Sequence, residues 1–192
     1  MTWLTHIDIK KYREKYNLVD FIETGCWQGA GIGHAFDSGY DEVYSCDIGL
    51  EYVTMSQQKF PYANIEHSES LSYLTNLLPN QTNKTLFWLD AHFPDIYGED
   101  EFAEEFRIPL IPEIELIKKL KPDYSKDVVV CDDMRTFRSP KNPTYTKGEL
   151  PEKHLIDVDW DKFVNILSDT HDYELINKHD GVIVFYPKTM EK

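Results

Sequence analysis

The chain alternates short apolar runs with amphipathic stretches, and nearly every run stops on, or just before, a carboxylate. Leu18–Glu23, Glu42–Asp47, Asn64–His67, Thr85–Asp90 and Lys126–Cys131 read as strands. The stretches Ile7–Tyr16, Gly29–Phe36, Glu51–Phe60, Leu71–Leu78, Pro109–Leu120 and roughly Asp161–Leu167 read as helices. The near-continuous apolar run Leu86–Phe87–Trp88–Leu89 suits a strand covered on both faces. Strands alternating with helices imply right-handed crossovers and a mainly parallel sheet. The last two runs, Tyr173–Asn177 and Val182–Tyr186, flank Asp180–Gly181, a hairpin signal, so one of them must be antiparallel. The expected architecture is therefore an α/β three-layer sandwich. Its mainly parallel seven-stranded sheet would carry an antiparallel C-terminal hairpin strand.

At 192 residues with no repeat or low-complexity tract, the chain is expected to form one domain, residues 1–192. Within it, 1–17 form an N-terminal helix, 91–108 an acidic lid-like insertion and 134–158 a loop on the substrate side. With 34 acidic and 20 basic residues, the formal charge is −14. A surface this acidic repels phosphate backbones and anionic lipid, so neither nucleic acid nor membrane is an expected partner. No apolar run approaches the roughly 18–20 residues that span a bilayer, and the Lys-rich start does not read as a signal peptide. Cys26, Cys46 and Cys131 are few, widely spaced and without a CxxC pair. They read as reduced core thiols, and the expected compartment is cytoplasmic.

The first strand runs into Glu23–Thr24–Gly25–Cys26–Trp27–Gln28–Gly29–Ala30–Gly31. In a strand–turn–helix unit, glycines allow a sharp turn and close approach of a ligand. A dinucleotide GxGxxG fails here, because Trp27 and Ala30 occupy glycine positions, and no Gly-Lys-Ser/Thr follows for a P-loop. What remains is an acid followed by spaced glycines, a pattern that favours ammonium or hydroxyl groups over phosphate. Asp47 ends the second strand at the spacing where an acid can accept both hydroxyls of a ribose. The plain alternative is a tight turn beside an ordinary strand-end Asp.

Asp90 ends the fourth strand, and Asp132 and Asp133 follow the fifth. Neighbouring parallel strands would bring all three to the edge where open α/β folds bind ligands. Three clustered carboxylates repel unless a cation joins them, and Mg²⁺ prefers such oxygen ligands. The alternative is that these acids cap helices or face water. His92 is a candidate general base, or else a hydrogen-bonding neighbour of the site. Arg135, Arg138, Lys141 and Lys147 make 134–158 locally basic. That suits an anionic group on a substrate, or a counterweight to the acids and aromatics of 95–107.

These residues resemble the class I S-adenosylmethionine-dependent methyltransferases, which are Rossmann-like. Glu23 to Gly31 is similar to their first motif, without the commoner GxGxG, and Asp47 to their ribose-binding acid. His67–Ser68–Glu69–Ser70 resembles the segment that meets adenine. The resemblance implies S-adenosyl-L-methionine as cofactor, bound by Glu23, Gly25, Gly29, Asp47, Glu69 and Ser70. Within that class the pattern Asp90, Asp132, Asp133 is similar to divalent-metal-dependent O-methyltransferases of small molecules. It implies that these three would hold Mg²⁺, with Asp90 and His92 in catalysis. Leu89–Asp90–Ala91–His92 and Ile111–Pro112–Glu113–Ile114 also resemble methyltransferases of glycans and natural products, which implies a small hydroxylated acceptor. The base-methylating Asp/Asn-Pro-Pro-aromatic motif is absent. An NAD- or nucleotide-sugar-linked enzyme and a catalytically inactive cofactor-binding protein are the competing readings. An exposed helix or the insertion could pair copies of the chain.

Overall fold

The computed structural model describes residues 4–91, 108–178 and 180–188. Five strands run parallel: β1 (Asp20–Thr24), β2 (Glu42–Asp47), β3 (Asn64–His67), β4 (Thr85–Leu89) and β5 (Val128–Cys131). Two short strands, β6 (Phe137–Arg138) and β7 (Ile156–Asp157), pair with each other outside the main sheet. β8 (His171–Ile176) and β9 (Val182–Pro187) complete the main sheet in the order β3-β2-β1-β4-β5-β9-β8. β9 is antiparallel to both neighbours, so the expected seven strands and C-terminal hairpin are present.

Alternate residues of the central strands feed two cores. Phe21, Val43, Leu86, Trp88 and Val130 point to one face. There they pack on Ile9 and Tyr12 of α1 (Ile9–Tyr16), Ile32 and Ala35 of α2 (Ala30–Asp37) and Val53 of α3 (Leu50–Lys59). Ile22, Phe87, Leu89 and Val129 point to the other face. Their partners are Tyr73 and Leu74 of α4 (Ser70–Leu77), Ile114 and Ile117 of α5 (Leu110–Leu120) and Phe163 of α6 (Trp160–Val164). Every residue of β1, β4 and β5 is buried, the reason β4 and β5 read as apolar runs rather than alternating ones.

The boundaries differ from the sequence reading where capping decides. The Asp8 carboxylate accepts the Lys11 N–H, so α1 starts at Ile9 rather than Ile7. Asn17 turns left-handed, and Leu18 N–H closes the helix on Arg13 O, so Leu18–Val19 is a connection and not the start of β1. Asp159 accepts the Lys162 N–H and starts α6, which ends at Val164 instead of Leu167. The hairpin joins Ile176 to Val182 through a five-residue connection, longer than an Asp-Gly turn. Residues 134–158, expected as a loop, contain the β6–β7 pair. Among the described residues, no helix is long and apolar enough to cross a membrane.

The edge away from the strand C-termini is fastened by a buried ion pair. Lys121, just beyond α5, lies 3.1 Å from Asp127, which precedes β5, and neither side chain is exposed. Asp127 also accepts Thr85 N–H, and Lys121 Nζ donates to Asn83 O. Replacing the lysine leaves a buried carboxylate without its cation, a change worth about 3–5 kcal/mol. Lys121→Met should therefore lower Tm by roughly 10 °C in a thermal melt followed by circular dichroism.

Candidate active site

The five parallel strands bring their C-terminal ends to one edge, and the loop after β1 is the most tightly built part of it. Gly25 has φ +85°, and a Cβ there would lie 2.7 Å from the Asp90 carbonyl oxygen. Only glycine allows the loop to lie this close to the end of β4. Gly25 and Cys26 N–H groups both donate to Cys46 O at the end of β2. Gly29, at φ +74°, opens α2 and packs on the Phe60 ring. Trp27 also has positive φ, +39°, unusual for a bulky residue. Its ring meets Tyr52 edge-on.

Asp47 holds this conformation in place. One carboxylate oxygen accepts Trp27 N–H at 2.8 Å and the other accepts Gly49 N–H at 2.8 Å. The same side chain thus ties the β1 loop to the start of α3. Each carboxylate oxygen has a second lone pair, so two backbone bonds do not exhaust its capacity to accept. His67 Nε2 meets Ile48 O at 2.9 Å and fastens the β3 end to the same turn.

Glu23 lies beneath the loop, 2 % exposed. Ser45 Oγ donates to it at 2.7 Å. A Cβ on Gly31 would fall 1.7 Å from Glu23 Oε1, so Gly31 is the glycine that makes room for the acid. Sequence reasoning singled out Gly25 and Gly29 and passed over Gly31; its signal was a small residue in the first turn of the helix that follows the acid. Burial pushes the Glu23 carboxyl up to about 8 against the Ser45 hydrogen bond, and the charges of Asp90 and Asp47 push in the same direction. Burial and the Asp47 charge push the Cys26 thiol up to about 12, so Cys26 is not a ready nucleophile.

The remaining predicted residues divide. Glu69 accepts Leu71 and Ser72 N–H at 2.7 and 2.9 Å, so it is the N-cap of α4, and Ser70 is buried beside it. Asp90 N–H donates to Thr24 O, and Trp88 Nε1 reaches the Asp90 carboxylate at 3.3 Å. Asp132 N–H donates to Leu89 O, and the Asp132 carboxylate accepts Asp133 N–H at 2.7 Å. Asp133 sits at φ +52° and pairs with Arg135, Nε to Oδ1, at 3.6 Å. The three aspartates share the edge, but among the described residues no three His, Cys, Asp or Glu side chains form a group that could hold a metal ion. Asp132 holds a backbone amide and Asp133 faces a guanidinium. His92 and the acidic stretch 95–107 lie outside the described residues.

The local basic segment also spends its charge internally. Arg138 pairs with Asp157 at 2.6 Å and with Glu152, and Lys141 pairs with Asp161. Among the described residues, the acids that pair with Arg138 and Lys141 come from 152–161. A groove of about 610 Å³ runs between α4 and α5, lined by Glu69, Ser72, Thr75, Glu115 and Lys119 among others. Apart from Glu69 it follows helix surfaces that lead away from the strand ends.

Strand order, the β1 loop and the carboxyl edge together define the Rossmann-like fold of class I S-adenosylmethionine-dependent methyltransferases. No protein-family profile and no curated protein matches the sequence. Solved structures do. An SAH-bound methyltransferase from Podospora anserina superposes with a TM-score of 0.68 at 14 % identity, covering 98 % of this chain and 80 % of that one. A putative caffeoyl-CoA O-methyltransferase from Staphylococcus aureus gives 0.61 at 15 % identity, covering 98 % and 85 %. An O-methyltransferase from Bacillus cereus in complex with SAH gives 0.59 at 12 % identity, covering 98 % and 83 %.

Two outcomes are expected. Gly31→Ala forces a methyl against Glu23 and should destabilise the chain by about 1–3 kcal/mol in urea unfolding. The second concerns pH. The folded Glu23 carboxyl titrates near 8, above its ordinary 4.5, so the native state holds a proton that the unfolded state has lost. Its contribution to stability is then full below 4.5 and falls as pH rises through 8. Melts of the wild type and Glu23→Gln from about pH 5 to about pH 9 should show the wild type losing ground by up to about 1.4 kcal/mol per pH unit.

Proposed function

We propose that this chain is an S-adenosylmethionine-dependent methyltransferase that acts on a hydroxyl oxygen of a small molecule, such as a sugar or a natural product. The observation that carries the reading is the loop–acid unit at the carboxyl edge. Asp47 is aimed by two backbone amides, beside a loop that glycines hold against the end of β4. Such a unit suits a ligand that offers hydroxyls and positive charge, and it is poorly suited to a pyrophosphate. The names of two similar structures include O-methyltransferase, which supports oxygen as the acceptor atom.

When bound, the cofactor would supply an electrophilic methyl group on a sulfonium. The chain's own contribution is placement and field. Asp47 stands at the end of β2, where an acid can accept from a pair of ribose hydroxyls. The negative charge of Asp47 and Asp90 at the strand ends favours a cationic ligand over the neutral product, which also helps discharge the product. Gly25 brings the loop backbone against Asp90, so the ligand-facing surface is rigid and attack geometry is set in advance. The described residues do not fit a three-carboxylate metal site, and no step is assigned to a metal.

Calorimetric titration with S-adenosylhomocysteine, S-adenosylmethionine and NAD tests the reading. Both adenosyl ligands should bind one to one, and NAD should not. Asp47→Asn should weaken adenosyl binding by about 1.5–3 kcal/mol, roughly 10–150-fold, through loss of charge-assisted hydrogen bonds. Binding of NAD but of neither adenosyl ligand overturns the proposal.

A further inference from the structure

Divalent ions are the usual answer to acids gathered at the end of a parallel strand, and the sequence pattern Asp90, Asp132, Asp133 invites one. The structure answers differently at the end of β5. Asp133 is largely buried, and its direction is set by the backbone. It sits left-handed at φ +52°, its N–H is held by the Asp132 carboxylate, and its carbonyl accepts both Thr136 N–H and Thr136 Oγ1–H. Two residues on, Met134 and Arg135 N–H donate to Gly181 and Asp180 carbonyls in the hairpin connection. Asn142 Nδ2 donates to both Met134 O and Phe137 O, bracing the turn from the other side. The turn therefore cannot swing Asp133 away, and a fixed, buried carboxylate needs a cation nearby.

Arg135 is that cation. Its guanidinium lies 3.6 Å from Asp133, 2.7 Å from Asp180 and 3.9 Å from Glu149, within reach of three acids from three parts of the chain. The hairpin connection supplies the strongest of these contacts and so holds the guanidinium at the strand end. We propose that Arg135 is a built-in counter-ion and positioning residue that takes the place of a divalent ion at the β5 end, so that Asp132 and Asp133 bind none. In resting on the methyltransferase reading for what this edge does, the inference makes the transfer independent of added metal. An ion entering here would have to displace a guanidinium that is bonded to Asp180 and faces Asp133.

The test uses the full chain stripped with EDTA. Mn²⁺ is titrated in, and the free ion is read by electron paramagnetic resonance, for the wild type, Asp133→Asn and Arg135→Met. The wild type is expected to have no site tighter than about 100 µM that Asp133→Asn removes. Such a site in the wild type overturns the proposal. Mn²⁺ bound tightly but indifferent to Asp133→Asn lies elsewhere on an acidic surface and agrees with it. Arg135→Met, if folded, should gain a site that the further change Asp133→Asn abolishes. A folded Arg135→Met that gains none shows that the guanidinium is not what excludes the ion, and the proposal falls. Calorimetry with S-adenosylhomocysteine on the same EDTA-treated wild type separates the two ideas. Failure to bind it removes the methyltransferase reading, while the Mn²⁺ titrations still decide the role of Arg135.

Discussion

Parallel pairing of the central strands is the constraint from which the rest follows. Two neighbouring parallel strands need a crossover between them, so all five point the same way and their last residues meet at one edge. Because β4 and β5 are covered on both faces, their carboxylates, Asp90 and Asp132, come just beyond the last residue of each strand. The concentration of acid at one edge is a consequence of topology acting on where the chain places its acids.

The structure resolves that concentration in four ways. Glu69 accepts two backbone amides at the start of α4, where unpaired N–H groups and the helix dipole favour negative charge, and Asp47 accepts one at the start of α3 and one from Trp27 in the β1 loop. Asp132 accepts the amide of its own neighbour. Asp133 faces a guanidinium. Glu23 is buried over Gly31 with one hydroxyl donor, and burial keeps it protonated at neutral pH. Of these, Asp47 is the one that clamps the glycine loop, which is why the functional reading centres on it.

Much of this was legible in the sequence. Phe87–Trp88–Leu89 and Val128–Val129–Val130 read as buried strands, and Glu23, Asp47, Asp90, Asp132 and Asp133 could be placed at or just after strand ends by counting. Element ends were less legible, because a cap is a single hydrogen bond: Asp8 moved the start of α1, and Asn17 the start of β1. The β6–β7 pair was invisible, since two-residue strands carry no periodicity. Gly31 looked like any small helix residue until the Glu23 side chain was seen against it.

The sequence by itself determined the sheet, the order of its strands along the chain, and which residues would sit at its carboxyl edge. Those depend on local hydrophobic pattern and on chain connectivity, both of which are written in one dimension. Only the tertiary structure decided what each carboxylate does there. Whether an acid caps a helix, clamps a loop, hides under a glycine or meets an arginine depends on groups far along the chain: Trp27 for Asp47, Ser45 for Glu23, and Asp180, from the hairpin, for the arginine that faces Asp133. Three aspartates with the spacing of a metal site became neighbours with separate partners, because hydrogen bonds and ion pairs are set by side-chain direction in space rather than by distance in sequence.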